Sequence, residues 1–91
     1  MPRYYLHLRD SVDELLDPEG LELPDLEAVR TAVLLAARDM LAGDIRQGLI
    51  DLRYRIDAES EGGALVYSLP LRGAFTIIPE AGISNAPPNQ L

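Results

Sequence analysis

The chain has 91 residues, enough for one small domain that buries only about 60–65% of the surface exposed by its unfolded chain. Fifteen acidic residues against eight arginines give a net charge of −7, with no lysine, which disfavours nucleic-acid binding because phosphates need a basic face. The lack of cysteine excludes disulfides and Cys-based zinc sites. No apolar run reaches the length of a membrane span, so we expect a cytoplasmic protein without membrane contact.

The N-terminal segment is predicted to form a β-hairpin. Residues Arg3–Arg9 alternate between apolar and polar side chains, with the even-numbered residues on one face. Val12–Leu16 can return as a second, weaker strand. The Asp17–Gly20 stretch (DPEG) carries turn chemistry, because proline pre-sets one turn position and glycine suits the last. A short extended segment, Leu21–Leu23, then leads into a helix.

The longest regular pattern in the chain is a helix predicted over Asp25–Gln47. Asp25 can cap its first turn, and Gly48 lies just past its end, where a left-handed residue is common. Gly43 is the weakest point, because glycine costs roughly 1 kcal/mol relative to alanine inside a helix. A bend or break near 42–44 is therefore one possible outcome.

This helix is apolar on two sides. The core-facing stripe is predicted to contain Leu26, Val29, Val33, Ala36, Ala37 and Met40, with Leu41 at its margin. A second strip on the far side contains Ala28, Ala32, Leu35, Asp39 and Ala42. The second strip suggests a homodimer interface, because alanines allow a partner helix to approach closely. The alternative is that Leu35 is an ordinary exposed leucine among alanines that favour a helix.

Beyond the helix, the period changes to two. Ile50–Ala58 is predicted as a strand with one buried and one wet face, and Ala64–Leu71 returns as its partner across the loop 59–63. From Pro79 the composition predicts a flexible tail. We therefore expect one domain over 1–78 and a tail over 79–91. The predicted class is α+β: an antiparallel sheet of two hairpins with one long helix packed across one face, in a ββαββ-like order.

Few residues suggest chemistry. His7 is the single histidine, and its neighbourhood contains no activated nucleophile, so we interpret it as a partly exposed strand residue. An acidic run in the N-terminal third lacks the ligand spacing of a calcium loop. It indicates a solvated edge or a docking surface for a basic protein partner, formed by Asp10, Asp13, Glu14, Asp17 and Glu19. The sequence thus predicts no catalytic residue, metal or cofactor, and a protein that is not an enzyme.

Three stretches resemble a family of small bacterial proteins that has no assigned function. They are Met1–Leu8 (MPRYYLHL), Glu19–Ala28 (EGLELPDLEA) and Ala42–Gly48 (AGDIRQG), and the resemblance spans roughly residues 1–72. The family usually has phenylalanine at Leu6 and a residue other than glycine at Gly43. The order of elements is also similar to HicB-type antitoxins, which neutralise a basic ribonuclease, although no C-terminal DNA-binding segment is evident here. The first hypothesis is a non-catalytic, homodimeric protein-interaction module, and the alternative is an antitoxin-like inhibitor of a basic protein.

Overall fold

A computed structural model describes residues 1–81 of the chain. Its elements, in chain order, are β1 (Arg3–Arg9), β2 (Glu14–Leu15), β3 (Leu21–Glu22), α1 (Leu26–Gln47), β4 (Arg55–Ser60), β5 (Leu65–Pro70) and a 3₁₀ turn (Leu71–Ala74). The strands form a five-stranded antiparallel sheet in the order β2-β1-β4-β5, with β3 also paired to β1. Helix α1 packs across one face of this sheet, so the predicted α+β class is confirmed.

The bounds of α1 follow from its caps. The Asp25 carboxylate accepts the backbone N–H of Ala28 at 2.8 Å, which satisfies one of the donors left over at a helix start. Gly48 ends the helix with a φ of 83°, a left-handed conformation that glycine adopts without strain. The helix runs without interruption through Gly43, so the possible break near 42–44 does not occur.

The core lies between α1 and the sheet. Its fully buried apolar residues are Val29, Val33, Ala37, Leu41, Ile56, Ala58, Leu71 and Ala74. The predicted stripe therefore included one residue too near the N-terminus of α1 and placed a core residue nearer the C-terminus only at its margin. Leu41, placed at its margin, is part of the core, whereas Leu26 is 44% exposed. Four-residue steps rotate the stripe slowly around the helix, and this rotation brings Leu41 onto the sheet and leaves Leu26 exposed in the first turn.

Strands β1 and β4 form the centre of the sheet. They pair along their whole lengths, from Tyr4 opposite Ser60 to Arg9 opposite Arg55. The prediction that this strand begins at Ile50 was wrong. The chain turns immediately after Arg9, where the Asp10 N–H donates to the Asp13 carbonyl, so residues 50–54 have no stretch of β1 left to pair with.

The free side of β1 is covered by β2 and β3, which together act as one interrupted strand. Leu8 pairs with Leu15, and Tyr4 pairs with Leu21. The intervening segment 16–20 is longer than the 5–7 segment that it faces, so it bulges outward. Gly20 closes the bulge with a φ of 73°, and a Cβ there would lie 2.8 Å from the Tyr4 carbonyl oxygen. The predicted turn at Asp17–Gly20 is therefore a bulge in an edge strand.

The predicted tail begins at Pro79. Residues 79–81 are exposed, and residues 82–91 lie outside the described part of the chain. The boundary at 78 therefore stays a prediction.

Replacement of Gly20 tests how tightly the bulge is built. Gly20→Ala places a Cβ against both Tyr4 and Tyr5, so we expect a loss of about 2–3 kcal/mol in the free energy of unfolding by urea. Gly63→Ala is the matched control, because its φ is also positive (88°) but open space surrounds it. Its cost should be about 1 kcal/mol, the strain of a left-handed residue alone. Equal losses in the two variants would contradict the close packing at Gly20.

Candidate interaction surface

The predicted dimer strip lies on the side of α1 that faces away from the sheet. Because residues three and four apart share a helix face, its five positions form one continuous band. Ala28 and Ala32 are half-buried, whereas Leu35, Asp39 and Ala42 are exposed. Leu35 is the large apolar residue of this band, and it is 56% exposed. The structure therefore groups these residues on one surface, and their role as an interface stays a prediction.

An open apolar groove adjoins this strip. Its volume is about 370 Å³, and it is lined by Arg38, Leu41, Ala42, Ile45, Ile50, Ala74 and Phe75. One wall is the C-terminal half of α1 and the other is the end of the 3₁₀ turn. The two walls are held together by Arg38, whose Nε donates to the Ala74 carbonyl at 2.9 Å. The groove is continuous with the strip, because Ala42 belongs to both.

Sequence reasoning missed most of this groove. Ile45 follows Ala42 at helical spacing, so the helical period could have predicted that the strip extends to Ile45. Phe75 and Ala74 follow a turn without a repeating pattern, and no signal in the sequence places them against α1.

Two of the carboxylates predicted for a docking surface serve the chain's own backbone. Asp10 accepts the N–H groups of Val12 and Asp13 at 2.7 and 2.6 Å. Asp17 accepts the N–H of Leu6 at 3.2 Å and those of Glu19 and Gly20 at 3.1 Å each. Asp17 therefore stabilises the bulge from inside.

The other three acidic residues differ in their surroundings. Glu14 accepts a hydrogen bond from the Arg9 Nε at 2.9 Å. Asp13 and Glu19 are exposed. The structure thus leaves Asp13 and Glu19 as the members of the predicted set that present an exposed side chain and that form no ion pair within the described residues.

A charged layer covers the sheet face opposite α1. Arg9 is its centre, since Nη1 donates to Asp57 at 3.0 Å and to Glu59 at 2.6 Å. Asp57 also accepts from the Ser68 hydroxyl at 2.6 Å and from the Arg55 Nε at 3.1 Å. Asp57 lies on the face of this strand that the alternation predicts to be wet, but it is only 4% exposed, so the expectation of a wet face is wrong at this residue. The neighbouring arginines and Ser68 bury it while satisfying its charge.

These contacts set the protonation of the layer. Burial raises the pKa of Asp57, but hydrogen bonds from Ser68 and Arg9 and the charge of Arg55 outweigh it, so the net pKa lies below the ordinary value. Hydrogen bonds with Glu14, Glu59 and Asp57 raise the pKa of Arg9. Arg9 and Asp57 are therefore both ionised at neutral pH, with their opposite charges in contact.

His7 lies at the edge of this layer and is 8% exposed. The expectation of a partly exposed histidine was wrong, because the bulge folds over it. Its Nδ1 accepts the Asp17 N–H at 3.0 Å, which leaves the hydrogen on Nε2, 3.5 Å from the Glu59 carboxylate. Its ring stacks on Tyr5, with centroids 6.3 Å apart. His7 thus joins the bulge to the sheet.

Within residues 1–81, no group of three or more histidine, aspartate or glutamate side chains is placed to hold a metal ion. In the same range, α1 is not apolar enough over a sufficient length to cross a membrane.

The fold and its surfaces define a small α+β domain with one helix laid across an antiparallel sheet, and the outer face of that helix exposes Leu35. A family model matches residues 3–72, and the chain belongs to this family, a domain of unknown function (DUF6894). The match includes all five strands and the whole of α1. Among curated proteins and among solved structures, no match to the chain is found.

His7 can be tested as a structural residue. His7→Ala removes the acceptor for the Asp17 N–H and the stacking on Tyr5, so we expect a loss of about 2 kcal/mol and a lower thermal midpoint by circular dichroism. His7→Asn is the control, because its side-chain oxygen can replace Nδ1 as acceptor and should recover part of the loss. A His7→Ala variant that melts with the wild type would contradict the structural role.

The lowered pKa of Asp57 predicts a specific pH dependence. A carboxylate whose folded pKa is depressed contributes stability above its unfolded pKa, about 4, and loses it as the pH falls through the folded value. Asp57→Asn places an amide N–H₂ near Arg9 or Arg55, so we expect lower stability at pH 7 and a shallower decline between about pH 5 and pH 2.

The measurement is urea unfolding across that pH range. The exposed Asp13→Asn variant is the control and should follow the wild-type curve. An Asp57→Asn curve parallel to the wild type at every pH would show that Asp57 does not supply this pH dependence.

Proposed function

We propose that the chain is a non-catalytic, homodimeric protein-interaction module that associates through the outer face of α1. The observation that carries the proposal is the apolar groove of about 370 Å³ beside the strip of Leu35 and Ala42. An open apolar groove next to exposed apolar side chains is typical of a binding surface, because burying such area is the main driving force of association.

The polar groups support a non-catalytic role. His7 accepts the Asp17 N–H within the fold, and the Asp57 and Glu59 carboxylates are held by Arg9. A carboxylate with a lowered pKa is a weak base at neutral pH. The side chains best able to transfer protons are therefore committed to holding the bulge and the sheet together.

An antitoxin-like inhibitor of a basic protein is the weaker proposal. Its support is the net charge of −7 and the exposed Asp13 and Glu19. Against it, Asp10, Glu14 and Asp17 already use their carboxylates within the chain. A cytoplasmic location is likewise a proposal, and its support is the lack of cysteine.

Light scattering coupled to size exclusion tests the dimer. At tens of micromolar, the wild type should have twice the 10.0 kDa mass of one chain. Leu35→Glu should weaken association by roughly tenfold or more, because it places a charge in an apolar contact. A monomeric wild type would exclude the proposal.

The matched control is Leu65→Glu on β5. Leu65 and Leu35 are almost equally exposed, at 59% and 56%, but Leu65 lies on the sheet edge. The control variant should keep the dimer mass. Dissociation by Leu65→Glu and not by Leu35→Glu would move the interface to the edge of the sheet.

A further inference from the structure

Gly43 occupies a position in α1 that the fold itself does not explain. Glycine disfavours a helix, and a Cβ added at Gly43 would meet nothing within 4 Å. No neighbour among the described residues therefore requires the absence of a side chain. Ala42, directly before it, is exposed. Two small residues at this point of the surface permit close approach by the backbone of a second molecule.

A pair of opposite charges flanks this point. Asp39 and Arg46 are both exposed, and they lie on the same face of α1 because seven residues complete almost two turns. Their midpoint along the helix falls between Ala42 and Gly43. A twofold axis through that midpoint would place Asp39 of each copy level with Arg46 of the other.

We infer that two copies of this chain pack their α1 helices antiparallel, crossing at Ala42 and Gly43, with Asp39 of each copy paired to Arg46 of the partner subunit. The inference rests on the proposed homodimer and specifies its geometry. The partner helix lies beside the apolar groove and shares Ala42 with it.

Charge complementarity identifies the occupant as a second copy. The contact is isologous, so one Asp39–Arg46 match is formed twice by symmetry. The chain is acidic overall, and eight carboxylates lie between Asp10 and Glu27 with no basic residue among them. The antiparallel arrangement places Asp25 and Glu27, at the start of α1, at opposite ends of the dimer in the two copies, about 50 Å apart along the helices and many times the screening length of about 8–10 Å. It also aligns the two helix dipoles favourably.

The apolar residues at the edge of the strip fit the same arrangement. Leu35, which is 56% exposed, shares the helix face of Asp39 and lies about two turns before the crossing point. Ile45, which is 61% exposed, lies on the groove side of the crossing point. The contact therefore covers Leu35 and borders the groove at Ile45.

Cysteine cross-linking tests the geometry, since the wild-type chain contains no cysteine. Ala42→Cys lies next to the axis, so two copies should form a disulfide-linked dimer on mild oxidation. Leu35→Cys is the matched control at another position on the same face. Its two copies would lie about 20 Å apart along the helices, far beyond the span of a disulfide, and should stay unlinked. Non-reducing gel electrophoresis measures both.

The possible outcomes separate the alternatives. Linkage of both variants would indicate parallel helices and overturn the inference. Linkage of neither, with a dimeric wild type, would place the interface elsewhere and also overturn it. A monomeric wild type by light scattering would instead remove the proposed dimer itself.

Charge-reversal variants provide a second test, which addresses the Asp39–Arg46 pair. Asp39→Arg and Arg46→Asp should each weaken the dimer by roughly tenfold, and the double variant should restore most of the loss, because the same pair is rebuilt with its signs exchanged. Both positions are exposed, so folding should be preserved, and circular dichroism checks it. A double variant no tighter than the single variants would overturn the assigned pair.

Discussion

The structure depends on the burial of one stripe of α1 against one sheet. Val29, Val33, Ala37 and Leu41 follow each other in steps of four residues, and each such step turns the helix by about 400°. The stripe therefore stays on one side of the helix and rotates only slowly along it. Residues 1–81 form a single sheet, so within them no other element covers the opposite side of the 22-residue helix. The outward-facing strip from Ala28 to Ala42 follows from the lack of a second layer among these residues.

The sheet face opposite α1 is covered by ion pairs and not by a second apolar layer. Strands β1 and β4 place charged residues side by side where a second helix layer would otherwise lie. Arg9 contacts three carboxylates, those of Asp57, Glu59 and Glu14, so one of the eight arginines serves several acidic partners. Removing Arg9 leaves the partly buried Glu59 carboxylate with only His7 beside it, and a buried carboxylate without a partner is costly. Through the contact of Arg9 with Glu14, the layer also ties the edge strand β2 to the centre of the sheet.

The sequence predicted those features that a local period determines. The bounds of α1 and β1 and the second strip on α1 all follow from spacing and caps. The start of β4 was wrong because alternation continues through Ile50 whether or not a partner strand is present, and β1 ends at Arg9. The burial of Asp57 and His7 depends on the bulge at 16–20, which is a contact between segments distant in the chain. Phe75 joins the groove through a turn that has no period to detect.

The boundary of the family match bears on the groove. The match ends at residue 72, so it contains the sheet, α1 and the α1 wall of the groove, but not Ala74 or Phe75 on the opposite wall. The strands, α1 and the helix strip therefore all lie within the residues that the family model matches. The depth of the groove depends on residues beyond it, and so does the hydrogen bond from Arg38 that joins the two walls. Ala74 belongs to the core, whereas Phe75 is half-buried. Because apolar area buried at an interface contributes to affinity, changes at Phe75 would tune the proposed self-association with less effect on the domain than changes at Ala74.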